Sequence, residues 1–212
     1  MDDLPPEFDR PFTTQEFLDI RLDLPEIGQW AELAAGRIEL LPAPTTEESD
    51  VVGNLSTTLS EFVTASPGAG MPLFRKPLEV ATHSVRAPAM SWVEGAASFS
   101  AIDADVLTEP PAWVVEQAGN RIIRERMTDR VRDYLAWGVR LVWVVDPVDR
   151  SLFAITPDGS TQLSGTETVV AKPVTAFSVT LERLFQPPKG WERPQSGDAD
   201  SSPGDAASNG QA

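Results

Sequence analysis

The feature that most constrains the fold is the stretch from Pro110 to Pro147, which has the pattern of a strand, a helix and a second strand. Two short apolar runs, Trp113 to Val115 and Leu141 to Val145, are bounded by Pro, Gly and Asp, as is typical of strands covered on both faces. Between them, apolar side chains recur at helical spacing and leave the arginines on another face: Ile123, Met127, Val131 and Tyr134. We therefore expect the chain to fold around this unit, with Glu116 at the end of its first strand.

The length and the composition of the two ends predict one domain with two tails. A chain of 212 residues can form one full core but is too short for two comfortable ones. Residues 1–11 are acidic and rich in proline, and residues 187–212 contain almost nothing to bury. We expect a flexible acidic arm at 1–11, a domain at 12–186 and a disordered tail at 187–212.

The composition excludes several classes of site. The chain contains no cysteine, which excludes disulfides, zinc ribbons and thiol nucleophiles. It has no apolar run of the roughly 20 residues that a membrane span requires, and its first ten residues do not resemble a secretory signal. We expect a soluble, cytoplasmic protein with no membrane partner.

The formal net charge of -15 opposes nonspecific binding to nucleic acids, so DNA would need a local basic patch. Two places supply one: Arg75 and Lys76 with Arg86, and the six arginines from Arg121 to Arg140. On the second patch, Arg121 and Arg124 are the candidate nucleic-acid contacts. In the alternative interpretation this helix face is solvated, and its arginines pair with nearby carboxylates: Glu125, Asp129 and Asp133.

The other segments predict a mixed sheet flanked by helices, of the α/β or α+β class. The expected elements are a helix at 14–20, a hairpin around Gly36 with Glu32 on its first strand, a helix from 51 to 63, strands at 77–81 and 89–93 joined by a turn at 82–85, a hairpin at 151–163, an extended segment at 169–180 and a helical turn at 181–185. His83 falls in a turn and is assigned no role. Trp92, Trp113, Trp137 and Trp143 are expected in the core, and a homodimer stays open.

Several ordered segments resemble the Uma-two family of restriction endonuclease-like proteins, within the PD-(D/E)XK nuclease superfamily. The segments are Glu32 to Leu40 with Pro42-Ala43-Pro44, Val51 to Leu55, Val115-Glu116, Tyr134 to Val139, and Val142 to Pro147. The resemblance covers roughly residues 12 to 186. It implies a restriction-endonuclease-like mixed sheet flanked by helices, and hydrolysis of DNA with Mg²⁺ or Mn²⁺.

The resemblance also implies a four-part site, of which this chain keeps two parts. Glu32 matches the family's first-strand glutamate, and Glu116 matches the glutamate that ends a buried strand. Ala89 stands where the aspartate of a Pro-Asp pair belongs, and Arg130 stands where a helix lysine belongs. By resemblance, Glu32, Glu116 and Arg130 are the candidate catalytic residues, and Glu116 is the candidate metal ligand.

The alanine at position 89 and the arginine at position 130 predict weakened or lost cleavage of DNA. Ala89 offers no oxygen ligand for a divalent cation, and the arginine at 130 keeps the charge of a lysine but cannot release a proton as lysine can. The alternative is a catalytically inactive module that binds DNA or a protein partner, and a third reading is a structural or dimerisation module. Glu116 itself has two interpretations, a site residue or a structural salt bridge to Arg121 or Arg130.

One residue could replace the missing carboxylate. If a hairpin from Pro77 to Val93 turned about Ser84, Glu79 would lie directly opposite Ala89, within reach of the same metal. A slip of one residue would place Glu79 on the other face of the sheet.

Overall fold

The computed structural model describes residues 8–24, 31–95, 97–119 and 121–187. In these ranges the elements are α1 (Thr14–Ile20), β1 (Ala31–Ala34), β2 (Arg37–Leu40), α2 (Thr46–Ala65), β3 (Met71–Phe74), β4 (Leu78–Ala81), β5 (Ser84–Arg86), β6 (Met90–Val93), α3 (Ala97–Asp103), β7 (Trp113–Gln117), α4 (Arg121–Trp137), β8 (Leu141–Asp146), β9 (Ser151–Thr156), β10 (Gly159–Ser164), β11 (Thr168–Val170), β12 (Ser178–Thr180) and α5 (Leu181–Leu184). Residues 1–7 of the predicted arm and residues 188–212 of the predicted tail lie outside the described residues.

The predicted strand–helix–strand unit is β7, α4 and β8, at the centre of a six-stranded mixed sheet with the order β10-β9-β8-β7-β6-β3. β7 and β8 are parallel, and their neighbours pair antiparallel to them. Every residue of both strands is buried. A strand buried on both faces needs apolar side chains on both, which explains the unbroken apolar runs in the sequence.

Two cores cover the two faces of this sheet. Trp113 and Val115 pack on one side, with Trp92, Trp143 and the apolar face of α2. Val114 packs on the other side, against the apolar face of α4. Because side chains alternate along a strand, Glu116 points to the α4 side and the next residue points to the α2 side.

Three of the four tryptophans predicted for the core belong to it, and the fourth, Trp137, is half-buried and packs against the core on the α4 side. Trp92, Trp113 and Trp143 are fully buried, and the rings of Trp113 and Trp143 lie 4.4 Å apart between centroids in an edge-to-face contact. Large aromatic side chains in such contacts contribute more than their buried area alone. These rings are therefore part of the packing between the sheet and α2.

A second sheet has four strands in the order β2-β1-β5-β4 and carries Glu32 on β1. The predicted hairpin around Gly36 is confirmed, because Ala34 pairs with Arg37 across the turn and Glu32 pairs with Glu39. Gly36 has a φ of 82°, a conformation that glycine adopts without strain.

The predicted hairpin from Pro77 to Val93 is wrong. A tight turn containing His83, at φ 57°, returns the chain as β5, which pairs with β4 and β1, whereas β6 begins at Met90 in the six-stranded sheet. Pro88 separates the two strands and cannot donate a backbone hydrogen bond to a continuing ladder. As a result Glu79 lies opposite Val85 rather than Ala89.

Three further details concern the helices and the end of the domain. Thr13 and Thr45 are the N-caps of α1 and α2, and each forms a capping box with the glutamate three residues later. The predicted N-cap of α1 is thus confirmed. The helix α3 was not predicted, and the predicted extended segment at 169–180 is in fact two short antiparallel strands, β11 and β12, with a turn between them. Among the described helices, none combines the length and the apolarity needed to cross a bilayer.

Candidate active site

The side chain of Arg130 lies between Glu32 and Glu116 and donates hydrogen bonds to both. Nη1 and Nη2 donate to the two carboxylate oxygens of Glu32, at 2.5 and 2.9 Å. Nε and Nη2 donate to Oε1 of Glu116, at 3.1 and 2.6 Å. The three side chains are buried, with exposed fractions of 3% for Arg130, 0% for Glu32 and 4% for Glu116. The structure therefore brings together the three residues that the sequence singled out.

Three elements meet at this point. Glu32 comes from β1 of the four-stranded sheet, Glu116 from β7 of the six-stranded sheet, and Arg130 from α4, which packs between them. Val131 and Tyr134 hold α4 against the six-stranded sheet, and the neighbouring Arg130 is buried where it reaches both glutamates. Tyr134 also donates its hydroxyl hydrogen to Oε1 of Glu116 at 2.5 Å.

Glu32 is fully paired. Besides Arg130, Nη1 of Arg86 donates to its Oε2 at 3.2 Å and the backbone N–H of Ala87 donates to its Oε1 at 2.8 Å. Burial alone would raise the pKa of Glu32, but the charges of Arg130 and Arg86 and these hydrogen bonds outweigh burial and lower the pKa to about 2. Glu32 is thus a carboxylate at neutral pH.

The other two buried groups of the site hold their protons tightly. Burial disfavours the charged form of Arg130, but Glu116 and Glu32 outweigh it and raise the pKa of Arg130 well above its ordinary value. Burial and the negative charge of Glu116 raise the pKa of the Tyr134 hydroxyl. Neither group can act as a base at neutral pH.

A second layer of charges surrounds the first. Arg86 lies 3.4 Å from Asp133 and 3.7 Å from Glu39, and Glu39 accepts a hydrogen bond from Arg126 at 2.8 Å. Arg86, which the sequence placed in a basic patch, is therefore part of an alternating ion network. This network joins the four-stranded sheet to α4.

Ala89 borders a small cavity next to Glu116 and Arg130. The cavity has a volume of about 30 Å³ and is lined by Leu41, Pro42, Pro44, Glu48, Arg75, Ala89, Glu116, Gln117, Ile123 and Arg130. The backbone N–H of Arg75 donates to the carbonyl of Ala89 at 3.4 Å, and Nη1 of Arg75 donates to the carbonyl of Ala87 at 3.1 Å. A guanidinium thus lies beside Ala89.

Sequence reasoning missed three of the polar residues in this cavity. Glu48 is buried, and its position three residues after Thr45 indicated only a helix cap. Gln117 follows Glu116 directly but points to the opposite face of the sheet, where its Nε2 donates to the carbonyl of Glu48 at 2.6 Å. The sequence indicates Arg75 only as part of a basic patch, and no local pattern indicates its place beside Ala89.

The remaining candidate residues lie away from the cavity. Glu79 pairs with Val85 instead of Ala89. It accepts a hydrogen bond from Thr14 and does not line the cavity, so it does not replace a missing ligand there. Arg121 pairs with Glu125 at 2.7 Å, and Arg124 pairs with Asp146 at 2.7 Å.

The arginines between 121 and 140 all have carboxylate partners within 4 Å. The partners are Glu125 for Arg121, Asp146 for Arg124, Glu39 for Arg126, Glu32 and Glu116 for Arg130, Asp129 for Arg132, and Glu94 for Arg140. The positive charge of this helix is therefore balanced by nearby carboxylates, as in the alternative interpretation of the sequence. In the part of the chain that the structure describes, no group of three or more His, Asp or Glu residues is arranged to hold a metal ion.

Comparison with known proteins identifies the family. A family model described as "Uma2: Putative restriction endonuclease" matches residues 14–183. A solved structure titled as a putative nuclease belonging to DUF820, from Anabaena variabilis ATCC 29413, has a TM-score of 0.64 and 19% sequence identity, over 82% of this chain and 98% of that chain. No curated protein matches the chain. The structural likeness shows a shared fold, and the family match over most of the domain shows that the chain belongs to the Uma2 family of restriction endonuclease-like proteins.

Proposed function

We propose that this chain is a restriction endonuclease-like protein in which metal-dependent hydrolysis of DNA is weakened or lost. The observation that carries the proposal is the position of Arg130, whose guanidinium donates to both glutamates that the family's site would use. In this site an arginine charge takes the place between two carboxylates where a cation would otherwise be needed.

The donor set does not fit Mg²⁺ or Mn²⁺. These cations need several oxygen ligands in a regular arrangement, but both oxygens of Glu32 and one oxygen of Glu116 already accept hydrogen bonds from Arg130. Ala89 supplies no oxygen from its side chain. A divalent cation would also have to approach the buried positive charge of Arg130 at close range, which is unfavourable in an interior of low dielectric constant.

The charge of Arg130 is also committed elsewhere. An arginine that stabilised a phosphoryl group would need N–H groups directed at the phosphate, whereas Nε, Nη1 and Nη2 of Arg130 are directed at carboxylates. Its raised pKa prevents it from accepting a proton from water. Arg130 therefore supports the fold of the site rather than a reaction in it.

The second candidate function is a catalytically inactive nuclease-fold module whose partner is DNA or another protein. The pairing of the arginines on α4 with carboxylates, together with the net charge of -15, favours a protein partner. Binding to the phosphate backbone gains its free energy when basic side chains neutralise phosphates and release the counterions of the DNA. Basic groups without a carboxylate partner are best suited to this. At Arg121 and Arg124 that gain would be reduced by the loss of their present ion pairs.

A cleavage assay tests the first proposal. Duplex and single-stranded DNA would be incubated with Mg²⁺ and, separately, with Mn²⁺, using the native chain, Glu116→Gln and the double variant Ala89→Asp/Arg130→Lys. We expect metal-dependent cleavage by the native chain to be slow or absent. Cleavage by the double variant alone would support the loss of an ancestral activity.

One outcome of this cleavage assay would contradict the proposal. Metal-dependent cleavage by the native chain that is at least as fast as cleavage by Ala89→Asp/Arg130→Lys, disappears in Glu116→Gln and persists in Glu125→Gln would overturn the proposal. Glu125→Gln is the matched control because Glu125 is an exposed carboxylate of α4. Circular dichroism of each variant establishes that it is folded before its activity is compared.

A binding measurement separates the two classes of partner. Fluorescence anisotropy with a labelled duplex would be recorded from low salt to roughly 0.15 M salt. We expect weak binding that disappears at the higher salt concentration. Binding that persists there and falls in Arg121→Ala or Arg124→Ala would instead support a DNA-binding module.

A further inference from the structure

Gln117 carries a buried oxygen that has no partner of its own. The side chain is 95% buried, since its exposed fraction is 5%. Its Nε2 donates to the backbone carbonyl of Glu48 at 2.6 Å, which fixes the orientation of the amide because a carbonyl cannot face the oxygen end. Among the described residues, none donates a hydrogen bond to its Oε1. Buried polar atoms of this kind nearly always have a protein or water partner.

The cavity that Gln117 lines limits what the partner can be. Its volume of about 30 Å³ is sufficient for one water molecule and insufficient for an organic ligand. Its polar walls carry both signs of charge, with Glu48 and Glu116 opposed by Arg75 and Arg130. The arginines disfavour a cation, and the carboxylates disfavour an anion. A small, uncharged hydrogen-bond donor satisfies both requirements.

We propose that the cavity beside Ala89 is a binding site for one ordered water molecule, which donates a hydrogen bond to Oε1 of Gln117. Water can donate its second hydrogen to a carboxylate of the wall and accept from a guanidinium, which gives the two to four partners that buried water requires. The water then connects β7 to the charged groups of the site. This inference rests on the proposed function in one respect, because it requires that no divalent cation enters the cavity.

A crystal structure of the native chain, grown or soaked with Mn²⁺, tests separately whether the cavity holds a water molecule and whether it excludes a divalent cation. We expect a single density peak within hydrogen-bonding distance of Oε1 of Gln117 and no anomalous signal from manganese at that position. An empty cavity would overturn the water site and leave the proposed function intact. An anomalous peak in the cavity would overturn both.

Two variants test whether Gln117 holds the water. Gln117→Met keeps the length of the side chain and removes the acceptor, so we expect the peak to disappear in its crystal structure. Ala89→Ser adds one hydroxyl at the cavity wall, and we expect its Oγ to take the place of the water. A peak that stays at the same position in Gln117→Met would contradict the assignment, and Gln162→Met on the exposed strand β10 is the matched control, in which the peak is expected to be unchanged.

Discussion

At the scale of single residues, Arg130 decides the character of the site. It is buried between two carboxylates, and its planar guanidinium reaches both because its N–H groups point in several fixed directions. A lysine in the same position would place one ammonium group where Arg130 places three nitrogens. Arginine and lysine at this position would therefore differ in geometry as much as in acidity.

Removing this arginine is expected to destabilise the fold strongly. Arg130→Met would leave Glu32 and Glu116 buried without their main counter-charge, and breaking a buried ion pair from one side costs about 3–5 kcal/mol in the free energy of unfolding. Urea unfolding measures this loss. Arg132→Met is the control, because Arg132 is an exposed arginine of the same helix. Equal stability of the two variants would show that the buried network contributes little.

Glu32 makes the free energy of unfolding depend on pH. Its pKa is about 2 in the folded chain against 4.5 as the ordinary value, so the stabilisation is present above pH 4.5 and is lost as the pH falls toward 2. The difference corresponds to a loss on the order of 3 kcal/mol. Urea unfolding at several pH values across this range measures it, and Glu32→Gln should flatten the dependence. A native curve that is already flat there would contradict the lowered pKa.

At the scale of the elements, β7 distributes the polar groups between the two faces of the sheet. Glu116 faces α4 and Gln117 faces α2, so two adjacent residues of one strand lie in two different layers.

Gly70, in the turn between α2 and β3, lies close against β6. A β-carbon at Gly70 would collide with the carbonyl of Val93 and the ring of Trp92.

This contact predicts unequal effects at two glycines of the same turn. Gly68 and Gly70 both have positive φ, at 83° and 128°, but a β-carbon at Gly68 meets nothing within 4 Å. Gly68→Ala should cost about 1–2 kcal/mol from backbone strain alone. Gly70→Ala should cost clearly more, because backbone and an indole ring would have to move. Thermal unfolding compares the two, and equal midpoints would mean that the close approach at Gly70 does not exist.

At the scale of the whole molecule, the ion network fastens the four-stranded sheet to the six-stranded sheet. Glu32 belongs to the first, Glu116 belongs to the second, and Arg130 pairs with both. The core of the six-stranded sheet depends on its own apolar contacts with α2 and α4. The four-stranded sheet has a smaller apolar cluster with α1, and we therefore expect it to depend on the network more than the six-stranded sheet does.

Hydrogen exchange should reveal this difference. In Arg130→Met, the amides of Leu33 and Val85 in the four-stranded sheet should exchange faster, while those of Val114 and Val142 should change little. NMR-detected exchange at single residues measures both sets. Uniform acceleration across the two sheets would show that the molecule opens as one unit instead.

The sequence by itself determined the strand–helix–strand unit, the hairpin at Gly36 and the family, because apolar periodicity, turn residues and ordered family segments are local signals. It also singled out Glu32, Glu116 and Arg130, and it left open whether Glu116 pairs with Arg121 or Arg130. Only the tertiary structure decided that Arg130 engages both glutamates, and that Gln117 and Arg75 line the cavity beside Ala89. It also decided that residues 84–86 form the strand β5 and pair with β4, apart from the sheet that contains β6, so Glu79 lies opposite Val85 rather than Ala89. Strand partners and buried contacts join residues distant in the chain, and a local pattern specifies which face a side chain occupies but not which element lies opposite it.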